Sequence, residues 1–107
     1  RPPRLRRVRL RAARRGVDSV RRVLEDDNSG EGEAKAAIPH LQRLLRDLGS
    51  ASDSTWAYLA LVSAYGLSGD PHRACAPLRS ARRLATTDAQ LRAVTNFFNS
   101  EALACVP

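Results

Sequence analysis

The chain has 107 residues, 43% of them hydrophobic and 27% charged, and a formal net charge of +7. A chain of this length buries one modest core, not two, and this composition excludes a disordered polyelectrolyte. No run of about 18 apolar residues is present, which excludes a membrane-spanning helix in this sequence. Aromatic residues make up only 5%. The core must therefore be built from Leu, Val and Ala, which suits packed helices better than sheets and predicts an all-α fold of about five antiparallel helices.

The charge is uneven. Residues 1–22 hold ten arginines against one acid, Asp18, a net of +9, whereas residues 23–107 hold eight bases and ten acids, a net of −2. Such asymmetry points to a basic arm that meets something acidic: a nucleic acid, an anionic lipid or an acidic protein face. Among the bases only Lys35 is a lysine. Arginine pairs bidentately with phosphate or carboxylate better than lysine does, although a GC-rich coding sequence also favours arginine. The chain does not begin with Met, as expected of a processed form or of part of a longer protein.

In chain order, three segments are expected: a basic arm over 1–24, a polar linker over 25–32 and a helical domain over 33–107. Leu10, Ala13, Val17, Val20 and Leu24 step by three and four and predict a helix from Leu5 to Leu24. Gly16 weakens its middle by about 1 kcal/mol relative to Ala and divides it into a mobile part and a docked part. The second helix is expected from about Glu33 to Leu48, with Ala37, Leu41, Leu44, Leu45 and Leu48 inward. Pro39 falls early in it, and Gly49 is expected as a left-handed C-cap. The third starts after Asp53 or Ser54 as N-cap and carries Trp56, Leu59, Leu61, Val62 and Tyr65 as far as Ser68-Gly69. The fourth opens at Asp70-Pro71 and runs to about Ala85, with Ala74, Leu78, Ala81 and Leu84 inward. The fifth begins at a capping box, Thr87 with Gln90, and extends to Ala104. Its apolar face is Leu91, Val94, Phe97, Phe98 and Ala102.

Ala37, Leu41 and Leu44 stand 37 residues before Ala74, Leu78 and Ala81, a period typical of stacked helical hairpins. Across 54–86, Tyr58, Leu61, Tyr65, Gly69, Ala74, Leu78 and Ala81 have the spacing of a tetratricopeptide repeat, and the chain resembles that family over roughly 33–104. Gly69 suits the tight turn, Ala74 and Ala81 allow close helix approach, and Tyr65 fills the gap between helices. Val62 and Thr86 depart from the pattern, where the family often has Gly and Pro. The resemblance implies one good repeat, a degenerate one before it, and Thr87–Ala104 as a capping helix. It also implies protein or peptide binding in a concave groove lined by Thr55, Tyr58, Leu59, Val62 and Ser63. Two hairpins are fewer than repeat proteins usually need, so pairing with a second copy is a further expectation.

Groups that could carry chemistry are few. His40 and His72 stand alone near helix starts, and no phosphate loop or nucleophile elbow is present. His72 and Cys75 are three apart, but two ligands from one helix do not make a zinc site. The sequence therefore predicts no enzyme, no cofactor and no metal. Cys75 and Cys105 leave two alternatives. Bridged, they stabilise the fold by about 3–4 kcal/mol and imply a periplasmic or secreted protein. Reduced, Cys75 is a small core residue and the protein is cytoplasmic or organellar. Helix lengths count against the bridge: Cys105 lies roughly 10 Å too far along, unless the tail folds back. On the arm, Arg4, Arg7, Arg11, Arg14 and Arg15 form a stripe suited to an acidic protein or, alternatively, to nucleic-acid phosphates. No aromatic interleaves it, so base stacking is not expected there.

Overall fold

The computed structural model describes residues 3–49 and 51–107, and they fold as five α-helices. These are α1 (Pro3–Glu25), α2 (Glu31–Asp47), α3 (Ala51–Leu67), α4 (Cys75–Leu84) and α5 (Asp88–Phe98). A 3₁₀ turn, Pro71–Ala74, leads into α4, and among the described residues there is no strand.

The expected stripe of α1 holds. Ala13, Val17, Val20 and Leu24 are buried against the body and Leu10 is half-buried. Gly16 does not divide the helix, which runs through it unbroken. A Cβ built at Gly16 would lie 2.8 Å from Leu44 Cδ2, so glycine there lets α1 and α2 approach closely. The segment read as an arm thus supplies Val20 and Leu24 to a core with Ala34, Ala37, Leu41, Ala60, Leu61 and Ala64.

α2 starts earlier than the periodicity suggests. The Glu33 carboxylate accepts from the Gly30 N–H at 2.9 Å, and the Ala34 N–H bonds back to the Gly30 carbonyl. The first bond satisfies a donor that a helix start leaves open, and the second is the first turn of the helix itself. Backbone bonding, first from Gly30, holds the Glu33 carboxyl below its ordinary value. Glu31 is lowered too, by its hydrogen bond and attraction to Lys35 at 2.8 Å. With the helix opening at Glu31, Pro39 is interior rather than early. It removes one helical hydrogen bond, and both Pro39 and Lys35 four residues before it are exposed to solvent. Gly49 is not left-handed. α2 ends instead on Leu48 in extended conformation.

α3 is the central helix and packs on the other four. After Asp53 it carries no charged residue, which fits a helix covered over most of its surface by neighbours. Ala60, Leu61 and Ala64 face α1 and α2. Leu59 and Val62 face a second core with Ala74, Leu78, Ala81, Val94, Leu103 and Cys105. α3 begins at Ala51, so Asp53 lies in its first turn rather than capping it from outside. At the far end Gly69 has φ +85°, the Asp70 N–H reaches back to the Tyr65 carbonyl at 3.0 Å, and the Gly69 N–H reaches that of Gly66 at 3.3 Å. This is a Schellman turn, and its left-handed residue is glycine because a Cβ is disfavoured there.

Two expectations about the C-terminal region need correction. α5 stops at Phe98, not Ala104, and Leu91 is 46% exposed while Gln90 is fully buried. Ala102 is exposed as well. Beyond Phe98 the chain turns through 101–103 and Ala104, whose φ is 51°. The turn buries Leu103 and returns Cys105 to the start of α4, where Cys75 and Cys105 form a disulfide with their Cα atoms 5.4 Å apart. The distance objection fails because the tail folds back.

Candidate partner-binding cleft

Three helices that are remote in sequence bound a cleft of about 180 Å³. α1 contributes Arg21, Leu24 and Glu25, α3 contributes Trp56, Leu59, Ala60 and Ser63, and α5 contributes Ala93 and Phe97. On α3 the lining residues are spaced at three and four, which puts them on one stripe. Leu59 and Ala60 are buried, while Trp56, Ser63, Ala93 and Phe97 are half-buried. The Arg21 guanidinium lies 4.1 Å from the centroid of the Trp56 ring. That stacking is worth about 0.5–1 kcal/mol at a site open to solvent. It brings a side chain of α1 against one of α3 at the edge of the cleft.

The structure divides the groove set expected from the resemblance. Leu59 and Ser63 line the cleft. Thr55 and Val62 are fully buried, and Tyr58 is half-buried between the two cores. The cleft-lining stripe is therefore displaced by one residue from the expected one. Trp56 lies on it and also borders a smaller recess with Arg14, Val17, Asp18, Leu48 and Asp53. Arg21, Ala93 and Phe97 were not anticipated. Their signal was weak, because each reaches the cleft from a helix that is not adjacent in sequence to α3.

The basic residues fall into two groups. Arg14 donates from Nε to Asp53 Oδ2 at 2.6 Å, which joins α1 to α3. Arg4, Arg7 and Arg11 border a shallow recess with Val8, and Arg15 is exposed. Residues 4–9 are all exposed, and from Arg4 onward Ala13 is the first fully enclosed position of α1. The first turns of the helix thus stand clear of the packed core, in a molecule whose longest dimension is 45 Å.

Among the described residues no three His, Cys, Asp or Glu side chains come together. Cys75 is held in the disulfide, so it does not pair with His72 as a ligand. His72 instead lies 3.6 Å from Asp70, which also pairs with Arg73 at 3.0 Å. His40 is exposed. No helix among the described residues is long and apolar enough to cross a membrane. No family model, no curated protein and no solved structure matches this chain.

Proposed function

We propose that this chain is a protein-interaction module that holds a peptide segment of a partner in the cleft between α1, α3 and α5. One observation carries the reading: an apolar floor, Leu59 and Ala60, lies beside two half-buried aromatic side chains, Trp56 and Phe97, with Arg21 on the rim. Aromatic and arginine side chains around a buried apolar centre are the composition of binding hot spots. The tetratricopeptide-like reading of 54–86 agrees with this, because that family binds through the first helix of each hairpin. Supporting it are the left-handed Gly69 between α3 and α4 and the buried Ala74, Leu78 and Ala81 at the approach of those helices. The disulfide favours an oxidising compartment as the place of action.

The test is selection of random peptides on the intact chain, followed by binding to Ser63→Arg and Ala93→Arg variants. Both positions are half-buried in the cleft, so a long side chain there fills it. Selected peptides are expected to bind at moderate salt and to lose at least about tenfold in affinity on either variant, about 1.4 kcal/mol. Peptides that bind both variants as well as the parent chain, or no enrichment at all, refute the reading.

A further inference from the structure

We propose, beyond the peptide cleft and independently of it, that the exposed start of α1 seats in the groove of duplex nucleic acid. Five arginines occur between residues 4 and 11. At 3.6 residues per turn, Arg4, Arg7 and Arg11 fall on one flank and Arg6 and Arg9 on the other, about 160° around the axis. Further along the helix, the flank of Arg6 and Arg9 is the buried one, occupied by Ala13, Val17 and Val20. Near the start no described residue covers it, and both arginines are exposed. Midway between the flanks lie Leu5 and Val8, 52% and 57% exposed.

This arrangement selects among anionic partners. A flat acidic protein face meets one flank and leaves the other in water, and a lipid headgroup layer, which takes both flanks by burying the stripe between them, has only Leu5 and Val8 to bury there. A groove with phosphates on both walls meets both. The major groove of a DNA duplex is about 12 Å wide, and a helix with its side chains is about 10–12 Å across. With Leu5 and Val8 toward the floor, the two arginine flanks face the two phosphate walls. The floor itself offers thymine methyl groups to aliphatic side chains. No acid lies among residues 1–17 to oppose the approach. Arg14, the next basic residue of the first flank, is already engaged by Asp53, and the exposed Arg15 lies a turn beyond Arg11, so the five outer arginines are the contact set that the test addresses.

The experiment is fluorescence anisotropy of the whole chain with a mixed-sequence DNA duplex of about 20 base pairs over a salt series. Five phosphate contacts predict a slope of log affinity against log salt of about −4 to −5, hence roughly 500-fold weaker binding after a fourfold rise in salt. Arg4→Ala/Arg7→Ala and Arg6→Ala/Arg9→Ala change only exposed residues outside the packed half of α1. Each pair is expected to flatten the slope by about 2. Vesicles of phosphatidylserine serve as the flat comparator. Weak, salt-indifferent binding of the duplex overturns the proposal. So does loss on only one of the two double variants, or equal affinity for vesicles and duplex. No peptide enters the assay, so its outcome is separate from that of the cleft.

Discussion

The side-chain amide of Gln90 donates to both the carbonyl and the hydroxyl oxygen of Ser52, at 3.1 and 2.9 Å. Its own oxygen accepts from the Thr86 and Thr87 N–H groups at 2.9 and 3.3 Å, and its backbone N–H donates to the Thr87 hydroxyl at 3.2 Å. One residue thereby caps α5 and ties its start to the start of α3. A buried amide is stable only when its polar atoms are paired, and this one is paired on both sides. Replacing Gln90 with Ala strips these partners at once and leaves a void in the core. The expected loss is about 3 kcal/mol, read from urea unfolding. Gln90→Glu keeps the volume but turns a carboxylate toward the Ser52 carbonyl. It is expected to destabilise at least as much, whereas Thr87→Ala costs only about 1 kcal/mol.

Ala104 is the one non-glycine residue with positive φ among those described. It is exposed, so its side chain contributes no packing. Ala104→Gly relieves a left-handed conformation that costs an L-residue about 1–2 kcal/mol. The greater freedom of glycine in the unfolded chain offsets part of this. A net gain of about 0.5–1 kcal/mol is expected, seen as a rise of a few degrees in Tm. A loss would mean that the turn is not formed.

The Cys75–Cys105 bridge closes a loop of 30 residues. In the chain-entropy account, a loop of that size is worth about 3–4 kcal/mol. Unfolding in urea with and without a reductant should differ by that amount. A Cys75→Ser/Cys105→Ser double variant should match the reduced protein and ignore the reductant. Alkylation of two thiols in the untreated native protein would refute the bridge.

The acid limb of stability is expected to involve the start of α2. Glu33 and Glu31 are both lowered from the ordinary 4.5, by backbone hydrogen bonds and by Lys35 respectively. A carboxyl whose folded value lies below its unfolded one stabilises fully above the unfolded value. That contribution fades as pH falls through the folded value. Melting between pH 6 and about pH 2 should show the loss, and Glu33→Gln should flatten it. Lys35 is raised by Glu31, so its share is present below 10.5 and disappears only as pH rises through the higher folded value.

Helix existence was legible in the apolar spacing, and the inward residues follow it in part, since Leu44, Leu45, Leu48 and Leu84 are only half-buried. Ala37, Leu41, Ala74, Leu78 and Ala81 are all buried. The Thr87–Gln90 capping box was legible too, because it is a local pattern. Helix ends were less so. α5 stops at Phe98 because burial of Leu103 and the bridge at Cys105 favour a turned tail over two more helical turns, and those contacts are remote in sequence. Gln90 and Leu91 exchange the places that hydrophobicity assigns them, since Ser52 stands where it can satisfy the amide. The cleft was half legible. Leu59 and Ser63 were singled out, but a register displaced by one residue moved Thr55 and Val62 into the core. Its walls from α1 and α5 depend on packing that no local pattern records.

Because α3 touches each of the other four helices, this short stack turns on a single axle. In a long stack, an end unit can melt while the rest stands. Here, lifting any outer helix bares part of an axle that has no charge to meet water after Asp53. The two cores share that axle, so damage to one is felt by the other. Unfolding is therefore expected to be a single event, with the slowest-exchanging amides concentrated in α3.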